Sequence, residues 1–344
     1  MEVKLDSQFF DKYFAKIDLG VREPDGAEDE QTLQGAIGKL WSFSLEKEFE
    51  SDLWLSALIG TKPRSAIIEK TELTRKHAGD TLHISKAAAL SAEGSLGTTH
   101  TLVGNEENLD LSQVSFVPSR VGNAVKWRTK SGEHTVSFDL RNEVKDLLAA
   151  WAAEAVEKRL IAACDLCSAA NTLFAGTAAS KAGVTATDVM QATDLLRLYV
   201  CLLDSGAKGI QELGGYFALI MHPRQWFDLS MDPVFMSTVA AASAVKAYDI
   251  EGFVGSYSNF RIFTSNLCHS QDSGGSPGEM VYSMYALGAR SLGLGWEQRW
   301  SWLEKGDIDY GETKGIGTDA WFEAKILNQK YLYRLQSAGT NPRT

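Results

Sequence analysis

The feature that most constrains this chain is the stretch DLRNEVKDLLAAWAAEAVEKRL, beginning at Asp139, and its continuation to about Asn171. Asp139 is placed to cap a helix, and Val144, Leu147, Leu148, Trp151 and Ala155 then recur at helical spacing, followed by Leu160, Ala163 and Leu166. At ~1.5 Å per residue, about 32 helical residues span about 50 Å, more than the diameter of a small domain. A helix of that length acts as a spine on which other elements lie.

Upstream, residues 1 to about 36 are polar and acidic, with one apolar cluster at Phe9, Phe10, Tyr13 and Phe14, which reads as an arm rather than a core. From Ile37, the residues Leu40, Phe43, Phe49, Leu53 and Trp54 continue at mostly helical spacing until Gly60, and such an arm needs a partner surface. Between 61 and 127 the texture turns to β-prone pieces: GDTLHI (79–84), THTLVG (99–104) and VSFVPSRVGNAVKW (114–127). The small, Gly-rich AALSAEGSLGTTH between the first two predicts a protruding hairpin, with His83 and His100 facing each other across it.

Downstream of the spine the signals alternate. Thr185 to Asp188 forms a capping pattern ahead of Val189, Ala192, Leu195, Leu196, Tyr199 and Leu202. YFALIMHP (216–223) predicts a buried strand ended by Pro223, QWFDLSMDPVF a helix followed by a loop, and FRIFTSNL (260–267) another strand. The final segment alternates apolar residues with turn glycines, so it is expected to add strands to an earlier sheet. The fold class is therefore α+β.

At 344 residues the chain has room for two compact domains, or for one core with large excursions. A hydrophobic share of 44% argues for a folded chain. The net charge of −10, without a long Lys/Arg run, argues against tight electrostatic binding of nucleic acid, and an acidic face would keep clear of phosphate. The N-terminus lacks the pattern of a secretory signal, and no apolar run approaches membrane-spanning length, so no membrane partner is expected. Cys164, Cys167, Cys201 and Cys268 are too few and too irregular for a disulfide framework; they read as buried thiols in a reducing compartment.

Several local patterns resemble chemistry without completing it. Cys164-x-x-Cys167 could be half of a zinc or redox site, but it lies inside the predicted helix with no second pair nearby. Gly274-Gly-Ser276-Pro-Gly278 has the letters of a nucleophile elbow, yet Pro277 removes an N–H where the following helix should begin. His77, His83, His100, His134, His222 and His269 share no metal-binding spacing, and His222 beside Pro223 reads as a hydrogen-bonded strand cap. The pairs Glu106-Glu107 and Asp307-x-Asp309 read as solvated surface, and the glycines of GARSLGLG lack the Lys-Ser/Thr of a phosphate loop. No cofactor or metal is expected, and no catalytic residue.

The order of GDTLHI, LVGNEENL (102–109), SRVGNAVKW (119–127), the spine sequence (139–160), YFALIMHPRQWFDLSMDPVF (216–235), IEGFVGSYSNFRIFTSN (250–266), ALGARSLGLGW (286–296) and DYGETKGIG (309–317) resembles major capsid proteins of tailed bacteriophages with the Hong Kong 97-type fold, in the branch related to coliphage N-four. The resemblance covers about residues 50 to 330. It implies an N-terminal arm (1–60), an extended E-loop region (61–130), a peripheral domain with the spine helix (131–183), an axial domain (184–304) and a return to the peripheral domain (305–344).

It further implies self-assembly into hexamers and pentamers of an icosahedral virion head, formed in the bacterial cytoplasm around double-stranded DNA that is enclosed without sequence-specific binding. Maturation would proceed by rearrangement, with portal, scaffolding and decoration proteins as partners. Glu93, Gly94 and Gly97 near the loop tip are the candidate assembly contacts. Two readings compete: an encapsulin-type compartment for protein cargo, and a soluble hydrolase using Ser276 or a metalloenzyme using the cysteines.

Overall fold

Period-2 alternation along one long strand organises the first half of the molecule. In residues 292–296, Leu292, Leu294 and Trp296 are buried on one face, while Gly293 and Gly295 point to the other. The computed structural model describes residues 29–71, 81–87, 106, 111–128, 140–241, 253–268, 270–271, 279–308 and 313–342. The strand is β12 (Leu292–Ile308), and it lies in a five-stranded sheet of order β1-β2-β12-β13-β5. Its neighbours are β1 (Ile59–Gly60), β2 (Ile67–Thr71), β13 (Thr313–Ile326) and β5 (Ser119–Arg128).

Helices α1 (Asp29–Asp52) and α2 (Leu140–Asp165) cover the apolar face of this sheet. Leu45 and Phe49 from α1 and Val144, Leu148, Ala152, Val156 and Leu160 from α2 join Leu294, Trp296 and Phe322 in the largest core cluster. The small Ala152 and Ala153 let the helix lie close to the strands, as dense interior packing requires. The second half of the expected arm thus buries its apolar residues in its own subunit, whereas a detached arm was expected; Leu40 and Phe43 do remain exposed.

The spine helix is shorter than its periodicity predicts. It ends at Asp165, giving 26 residues and ~39 Å rather than about 50 Å. The chain then tightens, with the N–H groups of Leu166 and Cys167 bonded to the carbonyls of Ala163 and Cys164, and Ser168 leaves the helix in an extended conformation. Leu147 and Leu166, expected on the inner face, are 57% and 72% exposed. The buried stripe runs through Val144, Leu148, Ala152 and Val156 at i, i+4 steps, which turns Leu147 outward. The expected cap, Asp139, lies outside the described residues.

A second sheet has the order β6-β14-β11-β7-β9-β8, with β10 (Ser270–Gln271) paired to β11. Its strands are β6 (Thr172–Phe174), β7 (Phe217–Met221), β8 (Phe253–Tyr257), β9 (Phe260–Thr264), β11 (Val281–Leu287) and β14 (Leu332–Ala338). Every residue of β7 and β11 is buried, because both faces are covered. Ile220, Tyr285 and Leu332 face the spine side, and Leu219, Met284 and Leu335 face three helices on the other side. These are α3 (Ala192–Asp204), α4 (Pro223–Met231) and α5 (Pro233–Ala241).

Two local expectations shift here. The Thr185–Asp188 pattern closes a turn rather than capping the helix: the Asp188 carboxylate accepts from the N–H and hydroxyl of Thr185 and from the N–H of Thr177. Helix α3 starts later, at Ala192, whose N–H is capped by the Asp232 carboxylate at 2.7 Å from the α4–α5 corner. Asp232 also accepts from the N–H of Val234 at 2.9 Å, so α5 is a second helix where a loop was expected, with Pro233 at its first position.

Candidate assembly surface

The first strand of the expected hairpin pairs with a later segment than expected, while THTLVG (99–104) lies outside the described residues. β3 (Leu82–Ala87) and β4 (Leu111–Phe116) pair antiparallel, from Leu82 opposite Phe116 to Ala87 opposite Leu111. The register sets Ser115, not His100, across from His83; His100 lies outside the described residues, and the His83 ring sits 3.0 Å from the Thr81 hydroxyl. Leu82, Ile84 and Phe116 form their own apolar cluster with Val114 and Leu327.

The seat for this stem is the glycine face of β12. A Cβ on Gly293 would stand 2.8 Å from Phe116 Cζ and 3.0 Å from Leu327 Cγ; one on Gly295 would stand 3.1 Å from Leu82 Cδ1. The LGLG motif, whose glycines lack the Lys-Ser/Thr of a phosphate loop, therefore bares a patch of strand on which an aromatic ring lies. Two lysines clamp the stem from the sheet: Lys70 Nζ donates to the His83 carbonyl at 2.7 Å, and Lys325 Nζ donates to the Ser115 carbonyl at 2.9 Å.

The arm helix is fixed as firmly. Trp41 stacks on Trp302 with centroids 5.2 Å apart, and the Arg141 guanidinium lies 4.5 Å over the Trp41 ring. The Trp302 backbone N–H donates to the Ser42 hydroxyl at 2.9 Å, and Arg299 reaches Glu69 at 2.5 Å and Glu46 at 3.5 Å. Phe49 meets Trp296 edge-on at 6.3 Å.

The C-terminal end of the spine is bonded to the second sheet. The Tyr285 hydroxyl donates to the Asp165 carboxylate at 2.6 Å, and Arg334 donates to the Asp165 carbonyl at 3.0 Å. Burial, then the Asp165 charge, pushes the Tyr285 phenol far above its ordinary range, so the hydroxyl stays protonated and donating. The two halves of the subunit are joined by these bonds and by the shared core that includes Ile220, Tyr285 and Leu332.

The chemical candidates from the sequence do not converge. Cys164, Cys167 and Cys268 are buried thiols and Cys201 is half-buried; burial pushes Cys167 up to about 11 and raises Cys164 and Cys268 well above the ordinary thiol range, away from thiolate chemistry. Among the described residues no group of three or more His, Cys, Asp and Glu side chains is gathered as a metal site, and no helix is long and apolar enough to cross a membrane. Glu106 is exposed. Glu93, Gly94, Gly97, Ser276, His77, His134, His269, Glu107 and Asp309 lie outside the described residues.

His222 is a helix cap rather than a ligand. Its Nδ1 accepts the Arg224 N–H at 3.2 Å and its ring lies 4.4 Å from that of Tyr282. Burial, aided by the Arg224 charge, lowers its pKa to about 4. The fold therefore holds the neutral ring, while an unfolded chain titrates near 6.5. Its contribution to stability is complete above pH ~6.5 and is lost as the pH falls from there toward about 4. In thermal melts at successive pH values, His222→Asn, which keeps an acceptor but does not titrate, is expected to lose less stability than the wild type between pH 6.5 and 4. Parallel curves would refute the assignment.

A spine helix on one sheet, a paired-strand stem seated on that sheet and a second sheet backed by helices make up the Hong Kong 97-type fold. The structure is similar to the capsid of Ralstonia phage GP4 (TM-score 0.74, 18% identity, covering 84% of this chain and 91% of that one). It is also similar to the Cyanophage Pam1 capsid (TM-score 0.66, 18% identity, 83% and 92%). The SrpI encapsulin of Synechococcus elongatus is a more distant match (TM-score 0.50, 12% identity, 69% and 80%). No curated protein sequence matches the chain.

The phage capsid protein family matches residues 35–252, and the chain belongs to that family. It is a structural protein of the phage capsid, and it builds that shell by association with copies of itself.

Proposed function

We propose that this chain is the major shell subunit of a tailed phage in the branch related to coliphage N-four, arranged as hexamers and pentamers of an icosahedral head around double-stranded DNA. The observation that carries the reading is the family match over residues 35–252, together with a fold in which the paired strands β3 and β4 are seated on the first sheet. In this reading α1 ends the arm (1–60), α2 and the first sheet form the peripheral domain, the β3–β4 pair is the stem of the E-loop, and the second sheet with α3 to α5 is the axial domain, which β14 joins from the returning segment (305–344). The net charge of −10 suits a wall that encloses DNA without adhering to it.

Assembly takes place in the host cytoplasm, with a separate scaffolding protein, a portal and decoration proteins as partners. Maturation is a concerted shift of spine, arm and loop, with no enzymatic step by this chain. Electron microscopy and sedimentation of the purified protein, expressed with and without its neighbouring phage genes, test this directly. Uniform icosahedral shells or capsomer rings are expected, and a persistent compact monomer in both preparations would overturn the reading. Shells filled with a specific protein and no nucleic acid would favour the encapsulin-type compartment instead.

A further inference from the structure

The helices on the outer side of the second sheet leave an unusual amount of apolar surface uncovered. On α3, Leu195, Leu198 and Leu202 are fully buried against the sheet, as an amphipathic helix requires. Yet Leu196, Val200 and Leu203 form a second apolar seam on the opposite side, 45%, 53% and 48% exposed. Beside it runs an open groove of about 510 Å³ floored by Leu173, Val200 and Cys201. At the N-terminal end of α3, where Asp232 ties the α4–α5 corner to Ala192, Met231 and Met236 project outward, 69% and 52% exposed.

We infer that this outer face of α3 and the adjoining α4–α5 corner is a contact surface for a second copy of the chain within the shell. Together the five side chains present on the order of 400 Å² of apolar area. That is about half of the ~800 Å² per partner that a stable interface buries, and it corresponds to the apolar centre that such an interface surrounds with a polar rim. Asp204 is exposed near the C-terminal end of the seam, while Arg197 is already paired within the helix to Asp194 at 3.0 Å, so the face relies on its apolar side chains rather than on free charge. The flexible methionine side chains suit insertion into an irregular groove such as the one beside α3. The helices bearing these residues are held rigidly by the sheet, so little ordering opposes docking.

This inference rests on the shell assembly proposed above, and the experiment separates the two. Val200→Asp and Met236→Asp are each made in the full chain and compared with wild type by sedimentation and microscopy. Both positions are exposed, so near-native circular dichroism and a melting temperature within a few degrees are expected, with the assembled fraction reduced roughly tenfold or more. Wild type that never assembles counts against the proposed function; wild type and both variants assembling equally overturns only this surface. Variants that assemble normally alone but fail to engage a co-expressed scaffolding protein would assign the face to that partner and overturn the inference.

A second readout does not depend on how the charged variants fold. Leu196→Cys and Met236→Cys are labelled with a maleimide in free subunits and in wild-type-like shells, site by site by mass spectrometry. Labelling of free subunits with protection in shells is expected. Equal labelling in both states would overturn the assignment.

Discussion

Replacing Trp296 with alanine is expected to lower the unfolding free energy by about 3–5 kcal/mol, the range for truncating a buried aromatic residue. Trp296 is 1% exposed and stands where the arm helix, the spine and the sheet meet. Its ring lies 4.8 Å from Phe322, 6.3 Å from Phe49 and 6.4 Å from Trp300, and the Arg299 guanidinium lies 4.8 Å above it. No smaller neighbour can refill the space, because the surrounding rings are fixed by their own contacts. Denaturant unfolding monitored by circular dichroism would show the loss as a lower midpoint.

The companion variant tests the cause. The Trp296 indole nitrogen is buried and has no hydrogen-bond acceptor among the described residues, so Trp296→Phe keeps an aromatic ring and removes a polar group left unpaired there. It is expected to cost less than half as much as alanine. Equal losses for both variants would place the stabilisation in the indole itself rather than in filling the junction.

The second large effect concerns the hairpin. Gly293→Val is expected to unseat the β3–β4 stem, because even its Cβ falls 2.8 Å from the Phe116 ring and 3.0 Å from Leu327. Overpacking of this kind costs about 1–3 kcal/mol, enough to shift the docking equilibrium of the stem by roughly fivefold to a hundredfold. Hydrogen exchange should speed up at 82–87 and 111–116 while the spine amides keep their protection. If shell formation depends on a correctly aimed hairpin, the assembled fraction should fall with it. Unchanged exchange in the stem would show that the glycines do not form its seat.

The sequence revealed what repeats locally and concealed what depends on distant partners. Helical and two-residue periodicities located the spine, β7, β9 and the C-terminal strands, because each buries a regular face. They could not show which flank of α2 meets the sheet, so Leu147 was read as inward. The sequence did not expose the seating role of the LGLG glycines, because Phe116, the ring they accommodate, lies far upstream in the chain. The docking of α1 was hidden for the same reason: Ser42 receives its hydrogen bond from Trp302, 260 residues away. The apolar seam of Leu196, Val200 and Leu203 was half visible, since Leu196 was read as part of the buried face when it belongs to the uncovered one.

The placement of β14 carries a consequence for how the protein is made. β14 lies between β6 and β11, and Arg334 pairs with Thr172 across 162 residues of chain. During synthesis β6, β11 and the helices that rest on this sheet leave the ribosome before the strand that completes it. The sheet therefore closes only after translation has passed its last strand, a slow, long-range step that delays the display of the outer helical face. A chain terminated before Leu332 lacks the strand that joins β6 to β11, so its second sheet is expected to stay open.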